Sequence, residues 1–224
     1  ITEPNVAVPD NLTVPATLRI SVEGSGSFSV TSGKTLTLHN FQTVAKTKIN
    51  NGLGKMVILN TPELLQQWWT GPIDANLTSV MWAGITDSVT TMGGGTLIVP
   101  AGVWTSSGSL SLVTGMVIRG QGGDIDGVGG TIYKLSNNST YLFKVGNLGK
   151  DIHFEHVTFD LTGTTGSTAV VLSGPNGGHI FHISFSHCRF NDGDYGVHCF
   201  DETALAFGFL ILGVKFDQCW MISQ

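Results

Sequence analysis

The chain has 224 residues, with 11 Lys and Arg against 16 Asp and Glu, and its formal net charge is −5. Only 12% of the residues are charged, where about a quarter is usual, and 30 residues are glycine. Because the sequence contains neither a basic cluster nor an apolar run of about 18 residues, it predicts no nucleic-acid partner and no membrane span. Few charges, many β-branched residues and frequent glycines favour short strands joined by tight turns.

Residues 1–70 are predicted to form a β-rich N-terminal segment. Apolar and polar residues alternate there with the period of a strand, in stretches separated by Gly- and Ser-containing turns. Residues 71–92 are predicted to be a linker and one helix, because apolar residues recur at three- and four-residue steps over residues 76–89. Asp74 or Asn76 is the predicted N-cap. We expect this helix to cover exposed strand edges at the open end of a stack of strands.

Residues 93–224 contain a repeat of 31 residues. Segments 152–160, 183–191 and 214–221 align without gaps, and alternation within each half indicates strands. The aligned apolar residues are Ile152, Ile183 and Val214; Phe154, Phe185 and Phe216; Val157, Cys188 and Cys219; and Phe159, Phe190 and Met221. The alternation breaks at Glu155 and His156, which predicts a bend between two short strands.

A second set of strand-like segments lies between these repeats, at residues 140–146, 168–174 and 195–200. Each repeat therefore carries about three strands. Equivalent strands of successive repeats are expected to lie about 4.8 Å apart and to pair in parallel, so that like side chains stack. A single repeat cannot bury its own inner face, and the repeats must stack to be stable.

Three segments resemble the pectate-lyase-like β-helix family. Residues 93–104 (GGGTLIVPAGVW) resemble the signature that opens its helix, residues 116–122 (MVIRGQG) resemble its next strand, and residues 67–71 (QWWTG) resemble a junction common in phage tailspikes and bacterial relatives. The resemblance covers roughly residues 68–221. Family members carry an acidic turn before the capping helix, whereas residues 71–78 retain only Asp74 and Thr78 as equivalents, which weakens any ion-binding role there.

The resemblance implies an all-β fold: a right-handed parallel β-helix (solenoid) over residues 93–224, preceded by one short capping helix and the β-rich N-terminal segment. Because the sequence stops directly after a strand-like segment, we expect the β-helix to be truncated at its C-terminal end. The resemblance also implies a homotrimer on a virion surface or outside the cell, with a polysaccharide as its partner.

Cleavage of a glycan on this scaffold requires two carboxylates, or Ca²⁺ and a basic residue in the lyase branch. The candidate catalytic residues are Asp160, Asp192, Asp194, Asp201 and Glu202. The 31-residue register places Asp160 one repeat below Asn191. Side chains of neighbouring repeats lie about 5 Å apart, near the carboxyl spacing of about 5–5.5 Å in retaining glycosidases. The same Asn-Asp-Gly-Asp run is also typical of a surface turn, and both interpretations stay open.

The histidines and cysteines favour structural roles. His156 and His187 share an aligned position, and no spacing holds three metal ligands together, which favours a stacked polar ladder at the bend. Cys188 and Cys219 also align, but the apolar Val157 at the same position favours buried, reduced thiols over a disulfide. The sequence predicts no metal or other cofactor, except Ca²⁺ in the lyase alternative.

Two functions from different classes fit these patterns. The first is a tailspike-like protein that recognises a cell-surface or extracellular polysaccharide and, if it is an enzyme, cleaves it as a polysaccharide lyase or glycoside hydrolase. The second is a non-catalytic structural or adhesive fibre on the same scaffold. A further hypothesis is an appendage component that recognises only protein. Two carboxylates meeting beside aromatic residues in a groove would favour the first.

Overall fold

The computed structural model describes residues 5–23, 25–43, 48–61, 63–70, 76–122, 129–138, 140–146, 149–174, 179–201 and 210–222. Most of them lie in short strands, which confirms the all-β class. The strands of the first part are β1 (Val6–Val8), β2 (Leu12–Thr13), β3 (Ser21–Val22), β4 (Phe28–Val30), β5 (Thr35–His39), β6 (Gln42–Thr43), β7 (Lys55–Leu59) and β8 (Glu63–Leu65). Two helices follow, α1 (Gln67–Thr70) and α2 (Ser79–Met92).

The strands after the helices belong to three sheets. They are β9 (Gly95–Ile98), β10 (Gly102–Ser106), β11 (Leu110–Leu112), β12 (Met116–Arg119), β13 (Thr131–Leu135), β14 (Tyr141–Val145), β15 (Lys150–Glu155), β16 (Val157–Asp160), β17 (Thr168–Gly174), β18 (His179–Ser186), β19 (Arg189–Asn191), β20 (Tyr195–Asp201), β21 (Leu210–Asp217) and β22 (Trp220–Ile222). Sheet I has the order β8-β9-β12-β15-β18-β21, sheet II β10-β13-β16-β19-β22, and sheet III β11-β14-β17-β20.

From β9 onward the chain visits the sheets in one fixed order, I, then II, then III, and back to I. We call one such passage a level. The strand pairings between successive levels are all parallel. The prediction of about three strands per repeat, with equivalent strands paired in parallel, is confirmed.

The predicted ladder of like side chains is also confirmed. Phe154 pairs with Phe185, and Phe185 with Phe216, at ring-centroid distances of 5.2 and 5.0 Å with the rings stacked. Phe154 and Phe185 are buried, whereas Phe216 is 42% exposed. The difference arises because β21 is the last strand of sheet I among the described residues, so that no further described strand covers Phe216.

A single residue with left-handed backbone makes the bend between sheets I and II at each of the last three levels. His156, His187 and Gln218 occupy this position with φ of 55°, 52° and 49°, a conformation that is uncommon outside glycine. Neighbouring levels are joined there, since His156 N donates to Ser186 O at 3.0 Å and His187 N to Asp217 O at 2.9 Å. The bend predicted at Glu155 and His156 is therefore confirmed.

The strands of residues 5–61, which we call the N-terminal stack, follow a shorter parallel repeat that the sequence analysis missed. Sheets β1-β4, β2-β5-β7 and β3-β6 are parallel, and strands β1 to β6 visit them twice in the same order. An isolated parallel bridge between Phe28 and Asn50 then precedes β7. Val6 pairs with Phe28, Leu12 with Leu36 and Ser21 with Gln42, offsets of 22, 24 and 21 residues. Its buried side chains belong to the same hydrophobic core as the later sheets.

The predicted helix exists, but its predicted bounds at residues 76–89 were wrong. Asn76 forms a parallel bridge with Thr105, and Leu77 N donates to Thr105 O at 2.7 Å, so these residues are held in extended backbone. Thr78 is the N-cap, and its side chain accepts from Met81 N at 3.3 Å. The helix continues to Met92 because Gly93, with φ of 75°, is the first residue to adopt the left-handed C-cap. Asp74, the other predicted cap, lies outside the described residues.

Helix α2 satisfies polar groups of two edge strands, β7 and β11. Ser88 Oγ accepts from Ile58 N of β7 at 2.9 Å, and Trp82 Nε1 donates to Ser111 O of β11 at 2.6 Å. Gly84 lies directly against β7, where an added Cβ would be 2.3 Å from Met56 O. Helix α1, which was not predicted, contributes Trp69, whose Nε1 donates to Met56 O at 2.8 Å. The helices therefore cover strand edges that would otherwise be exposed.

The Phe ladder leads to a stability prediction. Replacing Phe185 by Ala removes a ring that is 1% exposed and stacked on both sides, and we expect the free energy of unfolding to fall by about 3–5 kcal/mol. Phe181→Ala is the matched control, because Phe181 lies on the same strand but is only partly buried. Urea unfolding followed by circular dichroism measures both. Equal losses in the two variants would contradict the inward ladder.

Candidate functional site

Asp160 ends β16 at the edge where the chain leaves sheet II for sheet III. Its Cα pairs with that of Asn191 on the next level, as the register predicted, and with that of Lys134 on the level before. Asp160 Oδ2 is 3.5 Å from Lys134 Nζ, and its Oδ1 accepts from Thr162 N at 3.0 Å. The carboxylate is therefore engaged by one cation and by the backbone of its own turn.

Asp192 and Asp194 lie in the next turn, between β19 and β20. Asp192 has φ of 52° and its N donates to Ile222 O at 2.9 Å, while Asp194 N donates to Ser167 O at 3.0 Å. Gly193 between them has φ of 86°. The Asn-Asp-Gly-Asp run is thus a turn, as one of the two interpretations predicted, and its backbone is tied to the neighbouring levels. Asp194 is exposed and Asp192 half-buried, so the Asp194 carboxylate is the more accessible of the two to a ligand.

The structure does not bring Asp201 to this turn. Asp201 is the last residue of β20 and pairs with Gly174, seven residues along an extended strand from Asp194, or about 20 Å away. Its side chain and the whole of Glu202 lie outside the described residues. Of the five predicted residues, Asp160, Asp192 and Asp194 therefore share one edge of the sheets.

Tyr195 adds an aromatic surface beside these carboxylates. Its side chain is 52% exposed, and its ring stacks on that of His198 at 4.5 Å. In the sequence analysis, Tyr195 stands at the start of the strand-like segment 195–200 and has no role, since alternation alone does not distinguish an exposed ring from a core ring. We call Asp160, Asp192, Asp194 and Tyr195 the acidic turn cluster.

The outer face of sheet I carries a second set of polar residues, but they are paired with one another. Arg119 Nε donates to Glu155 Oε2 at 2.6 Å, and Arg119 Nη1 lies 3.8 Å from Glu63 Oε1. The hydrogen bond to Glu155 raises the pKa of Arg119 above its ordinary value. Nearby, His153 Nδ1 and Ser184 Oγ are 2.5 Å apart. These mutual contacts leave the face less suited to a ligand than the acidic turn cluster.

The predicted polar ladder at the bend is confirmed by the stacked rings of His156 and His187, whose centroids are 4.8 Å apart. Within the ranges that the structure describes, no group of three or more His, Cys, Asp or Glu side chains is arranged to hold a metal ion.

Cys188 and Cys219 are free thiols on adjacent levels, as predicted, with Cys188 buried and Cys219 half-buried. Cys188 Sγ contacts Phe154 O at 3.5 Å, and Cys219 Sγ contacts Phe185 O at 3.4 Å, so that each thiol bonds a carbonyl of the level before. The adjacent Cys219 side chain, together with burial, raises the pKa of Cys188. The Cys188 side chain in turn favours the thiolate of Cys219 and lowers its pKa to about 6.

Comparisons with protein-family models, with curated proteins and with solved structures found no match to this chain. The resemblance carried by residues 67–122 therefore stays a proposal. None of the helices in the described part of the chain is long and apolar enough to cross a membrane.

The thiol pair predicts selective alkylation. Iodoacetamide at neutral pH should modify Cys219, because a pKa of about 6 leaves it mainly as the reactive thiolate. Buried Cys188 should remain unmodified in the native protein. Peptide mass spectrometry across a pH series measures both rates.

Cys188→Val is the matched control for this experiment, because Val157 occupies the aligned position on the level before. Without the Cys188 thiol, the pKa of Cys219 should rise toward its ordinary value, so that alkylation slows near neutral pH and recovers in alkali. Equal modification of both cysteines in the native protein would contradict the arrangement.

Proposed function

We propose that this chain is a right-handed parallel β-helix of the pectate-lyase-like type, and that it recognises a cell-surface or extracellular polysaccharide through the acidic turn cluster. Two features support the fold. The fixed order of sheets I, II and III with parallel pairing is the connectivity expected of a solenoid. The motif at residues 93–104 supplies the glycine C-cap of α2 and then β9 and β10, where Gly102 has φ of 139°.

The observation that carries the function is the juxtaposition of accessible carboxylates with an exposed aromatic ring. Asp192 and Asp194 can accept hydrogen bonds from sugar hydroxyls, and bonds to charged acceptors are the stronger ones. The half-exposed Tyr195 ring beside them can cover the apolar face of a sugar. All three are held on a turn whose backbone is bonded to adjacent levels, so little ordering is needed when a polymer binds.

Cleavage is the part of this function that the geometry supports least. A retaining glycosidase needs one carboxyl as acid and another as nucleophile, about 5–5.5 Å apart. Asp160 has both oxygens engaged, by Lys134 and by the Thr162 backbone, which suits a carboxylate that holds a turn. This observation favours the second candidate, a non-catalytic adhesive or structural fibre. Lyase chemistry would in addition need Ca²⁺ and a basic residue at the same edge.

A binding experiment separates these functions. The protein is titrated with a panel of purified bacterial surface polysaccharides, and both bound polymer and newly formed reducing or unsaturated ends are measured. We expect at least one polysaccharide to bind, and Tyr195→Ala or Asp194→Asn to weaken it about tenfold through loss of a stacking surface or a charged acceptor. Asp217→Asn, an exposed acid on sheet I, is the matched control and should leave binding unchanged.

The products decide between the enzyme and the fibre. New chain ends that disappear in Asp192→Asn or Asp194→Asn would assign hydrolysis or elimination to this cluster, whereas binding without new ends would assign the adhesive function. If no polysaccharide binds, or if binding is unaffected in all three cluster variants, the proposed function is wrong.

We also propose that the intact protein is a homotrimer outside the cell or on a virion surface. A chain with only 12% charged residues has little electrostatic repulsion to keep the sides of parallel copies apart, and the tailspike-like resemblance points the same way. Multi-angle light scattering at micromolar concentration should give three times the mass of one intact chain. A mass that stays at one chain over a dilution series would contradict the trimer.

A further inference from the structure

A cleft lies on the N-terminal stack, on sheets separate from those that carry the acidic turn cluster. It has a volume of about 720 Å³ and runs along the β3-β6 side. Its walls come from three successive passages of the chain, at residues 17–23, 40–43 and 60–61, and Trp68 adds an aromatic side chain. Parallel passages are about 4.8 Å apart, so the cleft crosses about 10 Å of the stack, the length of a disaccharide.

The lining of the cleft mixes polar and apolar side chains and carries nearly no net charge. Seven of its twelve residues carry an amide or a hydroxyl, with one cation, Arg19, and one anion, Glu23. A phosphate-rich or sulfate-rich ligand would need an excess of positive charge. The lining therefore suits a neutral ligand that has hydroxyl groups as well as an apolar face.

Several polar side chains in the cleft are held in place by backbone carbonyls. Asn40 Nδ2 donates to Ala16 O and Thr43 Oγ1 donates to Val22 O, both at 2.7 Å, while Thr61 Oγ1 donates to Phe41 O at 3.4 Å. These bonds use donors and leave oxygen lone pairs available on Asn40 and Thr61. Groups fixed in this way lose little freedom when a ligand binds.

Other polar groups of the cleft have unused capacity. Within the described ranges, no hydrogen bond or ion pair engages the side chains of Arg19, Glu23 or Gln42. The indole N–H of Trp68, a residue only 4% exposed, is buried and has no acceptor. Three other tryptophans in the described part do donate their indole N–H, to Met56 O, Ser111 O and Pro100 O. A buried donor without a partner is destabilising, which sets Trp68 apart from these three tryptophans.

We propose that this cleft binds a neutral oligosaccharide whose chain runs across the three passages. Sugar hydroxyls pair with the preset oxygens of Asn40 and Thr61 and with the open groups of Arg19 and Gln42. The exposed side chain of Leu18 lies against an apolar sugar face, while the buried rings of Phe41 and Trp68 form the floor of the cleft. The site is independent of the acidic turn cluster, since the two share no residue and no sheet.

The test is a titration of the full chain with maltopentaose, cellopentaose and chitopentaose, followed by amide chemical shifts and by tryptophan fluorescence. We expect saturable binding of at least one oligosaccharide, with shifts confined to residues around 17–23, 40–43 and 60–61. Arg19→Ala and Gln42→Ala should each weaken binding about tenfold. Both side chains are exposed, and unfolding curves verify that the variants fold.

Lys215→Ala is the matched control, because it removes one exposed cation on sheet I and should leave this binding unchanged. Tyr195→Ala serves as the second control: loss of binding in that variant would place the saccharide on the acidic turn cluster and overturn the cleft proposal. The proposal also fails if none of the three sugars binds at millimolar concentration, or if a sulfated oligosaccharide binds far more tightly and in a salt-dependent manner.

Discussion

In-register pairing of parallel strands is the constraint on which the rest of this structure depends. Parallel pairing places each residue directly beside its equivalent on the next level, so that one choice of side chain is repeated through the stack. Phe154, Phe185 and Phe216 show the result on the inner side, where their rings stack at 5.2 and 5.0 Å. A shift of the strand pairing by one residue would turn every inward ring outward. The register of the strands and the burial of the hydrophobic core therefore depend on each other.

The bends obey the same constraint. The bends between sheets I and II at the last three levels share one conformation, which His156, His187 and Gln218 adopt with φ near 50°. None of them is glycine, so the unfavourable backbone must be offset by what surrounds it. The surroundings are backbone hydrogen bonds to the next level and the stacked imidazoles of His156 and His187. The bend is thus stabilised by the stack and not by its own local sequence.

Function in such a stack has to lie where side chains are not committed to the ladder. The inner face is filled by apolar residues, and the outer face of sheet I is occupied by pairs such as Arg119 with Glu155. The turns between sheets remain, and both candidate sites of this chain lie on or beside turns. Asp192 and Asp194 flank Gly193 in one turn, and Asn40 and Asn60, with φ of 52° and 58°, line the N-terminal cleft. A polymer can approach both places without displacing any core contact.

Several features could be predicted from the sequence because they repeat within it. Alternation and register, which are local and periodic, predict five features: the 31-residue period, the inward residues, the bend at His156, the existence of α2 and the pairing of Asp160 with Asn191.

Only the tertiary structure decided the features that depend on partners far apart in the chain. Thr105 holds Asn76 in extended backbone, and the start of α2 therefore moves to Ser79. Lys134 and Thr162 engage the carboxylate of Asp160. The length of β20 separates Asp201 from Asp194. The N-terminal cleft was likewise out of reach, because strands as short as β3 and β6 carry too little alternation to reveal their pairing, and Trp68 joins them only through the folded chain.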